Sequence, residues 1–233
     1  LEIPKYTESL LPSGLDVEEI IIHPENENYY VLNNCILRKD NNVIVAGGQY
    51  STIPEEATAI GRRAFYQSRL TQINIPANIK TIGDKAFSFS LLNEITIANG
   101  VEEINLAFTN CKLKKLTIPA SVKKIERLFS GDCDVEELSV SPENKVYYSE
   151  DNCILTREGD SIVAGILSRN PIPAVAKEIG RYAFAGHAYL NVVTIPANIK
   201  KVCGYAFVAC ENLCKVIFEE RLSKVWLLWS AEI

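Results

Sequence analysis

Histidine and cysteine are the side chains of this sequence that could most readily perform catalysis or bind a metal ion. The 233 residues contain two histidines, His23 and His187, and seven cysteines. None of the common catalytic signatures, such as Gly-x-Ser-x-Gly, a Walker loop or His-Glu-x-x-His, occurs in the sequence. General acid–base chemistry therefore has few candidate residues, and we expect a protein that is not an enzyme and has no cofactor.

The seven cysteines are an odd number and include no Cys-x-x-Cys pair, so they do not indicate a disulfide framework. Cys111 and Cys210 each follow a repeated phenylalanine by three residues, and Cys35 and Cys153 occupy equivalent positions in a longer duplication. Because a free cysteine packs like a small apolar residue, we interpret most of them as buried fillers. The alternative is a zinc site formed by His187, Cys203, Cys210 and Cys214. The spacing of its three cysteines matches no common ligand pattern.

Pairs of like-charged residues recur at equivalent positions and could suggest an ion-binding or catalytic cluster. They are Glu18-Glu19, Glu102-Glu103, Glu136-Glu137, Lys114-Lys115 and Lys123-Lys124. Adjacent residues of a β-strand point to opposite faces, so the two members of a pair cannot share one site. We interpret these residues as solvated surface positions.

A repeated unit organises the chain. Its clearest copy, residues 70–87, reads Leu-x-x-Ile-x-Ile-Pro-Ala-Asn-Ile-Lys-Thr-Ile-Gly-Asp-Lys-Ala-Phe, and most of it returns in residues 190–207. Successive repeated phenylalanines are 21 to 23 residues apart at Phe65, Phe87, Phe108 and Phe129, and again at Phe184 and Phe207. A fixed period of this length predicts a solenoid in which stacked coils bury what a single coil cannot.

The local chemistry of one unit agrees with this prediction. The Leu-x-x-Ile-x-Ile segment alternates apolar and polar residues, as a strand with one buried face does, and Pro76 ends it. A second short extended piece follows, and we expect Gly83 to allow a turn with positive φ. Ala86 and Phe87 should then enter the interior of the coil.

Two longer coils interrupt the short ones. Residues 17–47 match residues 135–165 at an offset of 118, including Asn-Cys-Ile-Leu at 34–37 and 152–155. In both copies two β-rich runs flank a polar turn, which predicts a β-hairpin. Because the standard repeat resumes at Ile53-Pro54 and Ile172-Pro173, the hairpins should lengthen single coils without breaking the stack.

We expect one solenoid domain over residues 1–233, divided as follows: 1–16, an N-terminal cap or partial coil; 17–134, a hairpin coil with short repeats; 135–218, a second hairpin coil with repeats; and 219–233, a partial repeat or cap. The last segment contains the apolar run Val225-Trp-Leu-Leu-Trp229. We interpret this run as a cap for the core, and a partner-binding patch is the alternative.

The repeat resembles the BspA-like, or treponemal-type, class of leucine-rich repeat, whose pattern is Leu-x-x-Ile-x-Ile-Pro-x-x-Val-x-x-Ile-Gly-x-x-Ala-Phe-x-x-Cys. The resemblance covers about residues 17 to 218. Asn105, Glu126 and Cys203 depart from the pattern by replacing the turn glycine. The resemblance implies a right-handed, curved, β-rich superhelix of 21- to 23-residue coils with two longer hairpin coils. It also implies a bacterial protein that is secreted or displayed at the cell surface, where such proteins act mainly as adhesins.

Composition excludes two classes of partner. The net charge of −5 and the pI near 5.3 disfavour nucleic acid and anionic membrane surfaces, which attract basic proteins. No run approaches the ~18 apolar residues of a transmembrane helix, so we expect no membrane insertion by this segment. The sequence from Leu1 to Pro4 lacks the features of a signal peptide. We expect a monomer.

A binding surface follows from strand geometry. If Ile73 and Ile75 point inward, the alternate residues of each equivalent strand point outward and form one continuous face. The candidate contact residues on this face are Gln72, Asn74, Glu94, Thr96, Lys115, Thr117, Glu137, Ser139, Thr194 and Lys215. Secondary candidates beside the hairpins are Tyr29, Tyr30, Tyr147 and Tyr148, of which one in each pair could instead belong to the core.

These charges alternate in sign and the polar groups are small, which favours a protein ligand over a polyanion. We therefore expect a non-enzymatic extracellular protein-binding module, such as an adhesin that contacts host matrix or microbial surface proteins. The main alternative is a structural spacer that has no ligand of its own. A carbohydrate-binding role would require exposed aromatic residues clustered on one face.

Overall fold

Two kinds of strand alternate along the chain, and each kind stacks on its own side of a β-solenoid. The computed structural model describes residues 1–10, 14–130, 135–166, 172–219 and the strand at 224–225. It has about nine turns of about 22 residues, and its described part contains no helix, so the predicted solenoid is confirmed. No described segment could therefore cross a membrane as a long apolar helix.

One set of parallel strands forms what we call the first face. They are β1 (Glu2–Ile3), β2 (Ile21–Ile22), β7 (Gln72–Ile75), β9 (Glu94–Ile97), β11 (Lys115–Ile118), β13 (Glu137–Val140), β18 (Val192–Ile195) and β20 (Lys215–Phe218). They pair in parallel as β1–β2, β7–β9, β11–β13 and β18–β20. The register joins equivalent residues of successive coils, for example Ile73 with Ile95. The inward residues Ile73 and Ile75 are buried and the outward residues Gln72 and Asn74 are exposed, as the alternation predicts.

The second face is built from short strands that follow the prolines, together with the two hairpin coils. The short strands are β6 (Ala59–Ile60), β8 (Thr81–Ile82), β10 (Glu103–Asn105), β12 (Lys124–Arg127), β17 (Glu178–Ile179), β19 (Lys201–Val202) and β21 (Lys224–Val225). The hairpin coils contribute β3 (Tyr29–Leu32), β4 (Cys35–Arg38), β5 (Val43–Gly47), β14 (Tyr147–Glu150), β15 (Cys153–Thr156) and β16 (Ser161–Gly165). These strands make a seven-stranded sheet ordered β12-β10-β8-β6-β5-β4-β3 and a six-stranded sheet ordered β14-β15-β16-β17-β19-β21.

The turn after each second-face strand, which we call the Phe corner, carries the core. It comprises residues 61–68 in one coil and 83–90 in the next. Phe65, Phe87 and Phe108 are fully buried, and their rings stack with centroids 5.3 and 5.8 Å apart. Phe184 and Phe207 stack in the same way at 5.5 Å. The ring of each coil is therefore covered by the rings of its neighbours.

Glycine in each hairpin coil makes room for the first ring of a stack. A Cβ atom at Gly47 would lie 2.0 Å from a ring carbon of Phe65, and one at Gly165 would lie 2.4 Å from a ring carbon of Phe184. These distances leave no room for any other residue. The glycine of the Val-Ala-Gly sequence in both hairpin coils is therefore required by the packing of the coil that follows.

The expectation that Gly83 has a positive φ is wrong. Gly83 is needed for close approach instead, because a Cβ atom there would lie 2.9 Å from the carbonyl oxygen of Ile60 in the preceding coil. Left-handed residues stand two positions before and two positions after Phe65, Phe87, Phe108, Phe184 and Phe207, as at Lys85 (φ 56°) and Phe89 (φ 61°). This geometry directs alternate N–H groups along the solenoid axis, so that Phe87 N donates to Ala107 O at 2.9 Å.

Each hairpin coil contains three antiparallel strands, one more than the sequence predicted. The hairpin of β4 and β5 is confirmed, and β3 adds to its other edge. In the second copy, β14 holds Tyr147, whose hydroxyl accepts a hydrogen bond from Ile125 N at 3.0 Å. Tyr147 thus satisfies a backbone donor of β12, the last strand of the seven-stranded sheet, in place of a further strand.

Residues 1–10 have the register of a partial coil. Strand β1 pairs in parallel with β2, and Asn26 Nδ2 donates to Pro4 O at 2.9 Å. Asn144 makes the equivalent bond to Pro119 O at 2.8 Å in the second hairpin coil. At the other end, the Trp-rich run of 226–229 lies outside the described residues.

Replacing Phe87 by Ala should destabilise the protein by about 3–5 kcal/mol, because the change removes a fully buried ring from between two others. Urea unfolding followed by circular dichroism measures the free energy. Phe87→Leu, which keeps most of the volume, should lose clearly less. A loss below ~1 kcal/mol for Phe87→Ala would show that the ring stack does not hold the core together.

Replacing Tyr147 by Phe should cost about 1–3 kcal/mol, because the buried N–H of Ile125 loses its acceptor while the ring remains. The same unfolding experiment measures this change. Tyr6→Phe is the matched control, since Tyr6 is 83% exposed and should change nothing. Equal stabilities for the two variants would contradict the role of Tyr147 as a cap of the sheet edge.

Candidate partner-binding groove

A groove of about 1080 Å³ lies on the first face, between the segment 49–53 and strand β11. Strands β7 and β9 form its floor. Six of the ten predicted contact residues line it: Gln72, Asn74, Glu94, Thr96, Lys115 and Thr117. All six side chains are exposed, because each alternates along its strand with a buried or half-buried aliphatic residue.

The other four predicted contact residues lie further along the solenoid. Glu137 and Ser139 are on β13, and the Ser139 hydroxyl is 3.0 Å from that of Thr117. Thr194 and Lys215 lie on β18 and β20 and are exposed. The second hairpin coil lies between β13 and β18 in the chain. Residues 167–171, which lie between these two strands, are outside the described residues.

The charges of the groove cancel in pairs between neighbouring coils. Its lining holds three cations, and each forms an ion pair with a carboxylate. The pairs are Arg69–Asp16 at 3.1 Å, Lys114–Glu94 at 3.2 Å and Lys115–Glu137 at 2.5 Å. Exposed pairs of this kind contribute only ~0–1 kcal/mol each to stability. Their main effect is to leave the groove nearly neutral.

The same pairing occurs on the second face and corrects the interpretation of the like-charged pairs. Lys123 bonds Glu102 at 2.8 Å, and Lys124 bonds Glu103. Hydrogen bonds from these lysines hold the pKa of each glutamate below its ordinary value. The residues are at the surface as expected, but they are paired across coils. The sequence analysis considered only adjacent residues of each like-charged pair. It did not predict the ion pairs between residues 21 positions apart, which the register of successive coils places side by side.

Uncharged polar groups and one tyrosine complete the groove. Gln49 and Tyr50 line it, and Tyr50 is 65% exposed. Neither residue was predicted. Their position in the repeat could have identified them. The two residues precede Ile53-Pro54, and in other coils the equivalent Ile-Pro ends a first-face strand. The groove thus presents amide, hydroxyl and phenol groups on a rigid base.

The four tyrosines predicted as secondary contact residues have two different structural roles: one in each pair is buried in the core, and the other forms a hydrogen bond to a hairpin turn. Tyr29 and Tyr147 are 7% and 6% exposed, so burial removes them as contact residues. Tyr30 donates to Asn42 Oδ1 at 3.0 Å, and the half-buried Tyr148 donates to Asp160 Oδ1 at 2.7 Å. Burial first, and then this hydrogen bond, raise the pKa of Tyr148 to about 12. Tyr30 and Tyr148 therefore hold the hairpin turns in place.

The cysteines follow the filler interpretation only in part. Cys35, Cys111 and Cys153 are fully buried, and burial raises the pKa of their thiols to about 12, 11 and 12 respectively. Cys111 Sγ donates to Phe87 O at 3.0 Å, which places it against the ring stack.

The four candidate zinc ligands behave differently. Cys203 and Cys210 are half-buried and Cys214 is exposed, so Cys214 is not a filler. Across the described ranges, no three His, Cys, Asp or Glu side chains come together in a group that could hold a metal ion. His187 and the three cysteines thus do not form a site. Cys133 lies outside the described residues.

Comparison with solved structures finds bacterial leucine-rich repeat proteins. The pneumococcal vaccine antigen PcpA is 23% identical over 93% of this chain and 49% of its own, with a TM-score of 0.58. The chain thus spans about half the length of that antigen. A leucine-rich repeat protein from Eubacterium ventriosum is 16% identical over 84% of this chain and 73% of its own, with a TM-score of 0.47. The likeness to PcpA shows the fold.

A search of curated proteins finds no match. The family model described as the BspA-type leucine-rich repeat region matches six copies, over residues 48–141 and 167–226. These ranges cover well over half of the sequence and contain every strand that lines the groove. The chain belongs to the BspA-type leucine-rich repeat family.

Proposed function

We propose that this chain is a non-enzymatic module that binds a protein ligand in the first-face groove, as part of a bacterial protein that is secreted or displayed at the cell surface. The observation that carries the proposal is the groove itself. It has a volume of about 1080 Å³ and is lined by exposed side chains from consecutive coils. Leucine-rich repeat solenoids commonly use such extended surfaces for binding.

The rigidity of the groove supports binding with little loss of conformational entropy. Its polar residues stand on strands whose intervening residues are mostly buried, such as Ile73, Ile75, Leu116 and Ile118. A surface that is already ordered does not need to fold when a ligand binds, so less of the interaction energy is lost.

The chemistry of the groove favours a protein over a polyanion or a glycan. Because each lining cation is paired with a carboxylate, the groove offers no cationic surface to a phosphate backbone. Amides, hydroxyls and one tyrosine match the mixed polar surface of a typical protein partner. A glycan would be expected to stack on several aromatic rings, whereas Tyr50 is the one exposed aromatic residue that lines this groove.

The proposed location rests on family and fold. The chain shares its fold with PcpA, which is a pneumococcal vaccine antigen, and a solved relative from Faecalibacterium prausnitzii is described as a leucine-rich cell surface protein. An adhesin that contacts host matrix or microbial surface proteins is the specific role that we propose.

Binding of the purified chain to immobilised fibronectin, laminin and collagen, measured by surface plasmon resonance, tests the proposal. A variant with Glu94, Lys115 and Glu137 replaced by Ala should lose at least tenfold in affinity for whichever protein binds. The control variant replaces Glu102, Lys123 and Glu126 on the second face, which changes the same residue types and the same net charge.

The outcomes separate the competing roles. Loss of binding in the groove variant alone supports the adhesin proposal. Equal loss in both variants indicates a charge effect and contradicts it. Absence of binding to host matrix proteins and to an equivalent panel of bacterial surface proteins would favour a structural spacer.

A further inference from the structure

An exposed apolar patch lies on the Phe corner of two neighbouring coils, beside the groove. It consists of Tyr66, Phe89 and Leu91. The rings of Tyr66 and Phe89 meet edge to face with centroids 5.5 Å apart. Phe89 is 45% exposed, Leu91 is 60% exposed and Tyr66 is half-buried, so each contributes apolar surface that is in contact with water.

Phe89 is an exception among equivalent residues. The position two residues after the buried phenylalanine is left-handed in every coil where the structure shows it. Its other occupants are Gln67 (φ 59°), Asn110 (φ 53°), Gly186 (φ 78°) and Ala209 (φ 57°). Small or polar residues tolerate this conformation best. Phe89 instead places a bulky, exposed ring where the equivalent residues are small or polar, and an exposed departure from the repeat is typical of a functional residue.

Leu91 departs from its neighbours in the same way. It stands four residues after the buried phenylalanine, where the adjacent coils carry Arg69 and Lys112. Both of those side chains are exposed, as is Leu91. A charged residue at this exposed position would favour the solubility of the protein, whereas Leu91 does not. Two exceptions to the repeat thus occur two residues apart in the same coil, and both add apolar surface to one patch.

The patch is bordered by cations. The guanidinium of Arg63 lies 5.0 Å from the ring centroid of Tyr66, and its Nε is buried with no hydrogen-bond partner. Lys85 occupies the position equivalent to Arg63 in the next coil, and Lys112 stands one coil beyond Leu91. Within the part of the chain that the structure describes, neither lysine forms an ion pair. This border is positive on a chain whose net charge is −5.

We propose that Tyr66, Phe89 and Leu91 form a second docking site, which binds an acidic amphipathic segment of a partner protein. Apolar side chains of the segment cover the three residues, and its carboxylates pair with Arg63, Lys85 and Lys112. Exposed aromatic anchors bordered by arginine and lysine have the composition of protein-binding hot spots. Charge complementarity selects an acidic partner, in contrast to the nearly neutral groove.

The decisive variants replace Phe89 and Leu91 by the residues that stand at the equivalent positions of the adjacent coil. Phe89→Asn copies Asn110, and Leu91→Lys copies Lys112. Because Asn suits a left-handed backbone, Phe89→Asn should keep or raise the melting temperature. A fall of several degrees would show that the ring serves packing and would overturn the proposal. Ala209→Asn introduces the same residue at the equivalent position of a distant coil and serves as the control.

Binding is measured by fluorescence polarisation with three labelled 12-residue peptides at 50 mM NaCl. The first alternates Leu and Phe with Asp and Glu, the second replaces the acids by Lys, and the third replaces the apolar residues by Ser. Only the first should bind the full chain, and its affinity should fall at higher salt. Phe89→Asn and Leu91→Lys should each weaken it at least tenfold, whereas Ala209→Asn and the groove variant should bind as the unaltered chain does.

Several results would overturn the proposal. They are no binding of the first peptide at 1 mM, equal binding of the second or third peptide, and unchanged binding to Phe89→Asn. Two further measurements identify other occupants and would equally overturn it. Phosphatidylserine vesicles that bind the chain but not Phe89→Asn would assign the patch to a membrane. Self-association in sedimentation that is lost in Phe89→Asn would assign it to a second copy of the chain.

Discussion

The stacking of one coil on the next is the constraint on which the rest of this structure depends. A coil of about 22 residues cannot cover its own isoleucines and phenylalanine, so neighbouring coils cover them, as the ring of Phe87 covers that of Phe65 and the ring of Phe108 covers that of Phe87. Stacking fixes the register, and the register places equivalent residues of successive coils side by side. The groove, the ion pairs between coils and the exposed patch all follow from this alignment.

The alignment also separates structural from functional residues. Residues that repeat from coil to coil serve the stack, such as the buried phenylalanines and the asparagines that bond the preceding proline carbonyl. Residues that depart from the repeat without serving the stack stand out against this background. Tyr50, Phe89 and Leu91 are such departures, and all three expose apolar surface. In a repeat protein each coil thus provides an internal reference for its neighbours.

Much of the fold could be predicted from the sequence because its signals are local and repeated. The alternation at Ile73 and Ile75 identified the inward face, and Asn-Cys-Ile-Leu identified the hairpins. The failures concern contacts between coils. Gly83 was assigned a turn conformation, whereas its role is close approach to the Ile60 carbonyl. The groove depends on how far adjacent coils separate, and no local pattern reports that distance.

The cap formed by Tyr147 has a consequence for how such a protein can change in length. Tyr29 occupies the same position in the first hairpin coil, where its hydroxyl lies 3.4 Å from the carbonyl oxygen of Glu8. Each hairpin coil begins a second-face sheet, and the second hairpin coil closes the preceding sheet with Tyr147. A segment that starts at one hairpin coil and ends before the next has matching surfaces at both ends. Recombination between the two equivalent hairpin coils, which lie 118 residues apart, would therefore add or remove a whole segment of that length and leave a hairpin coil at the junction.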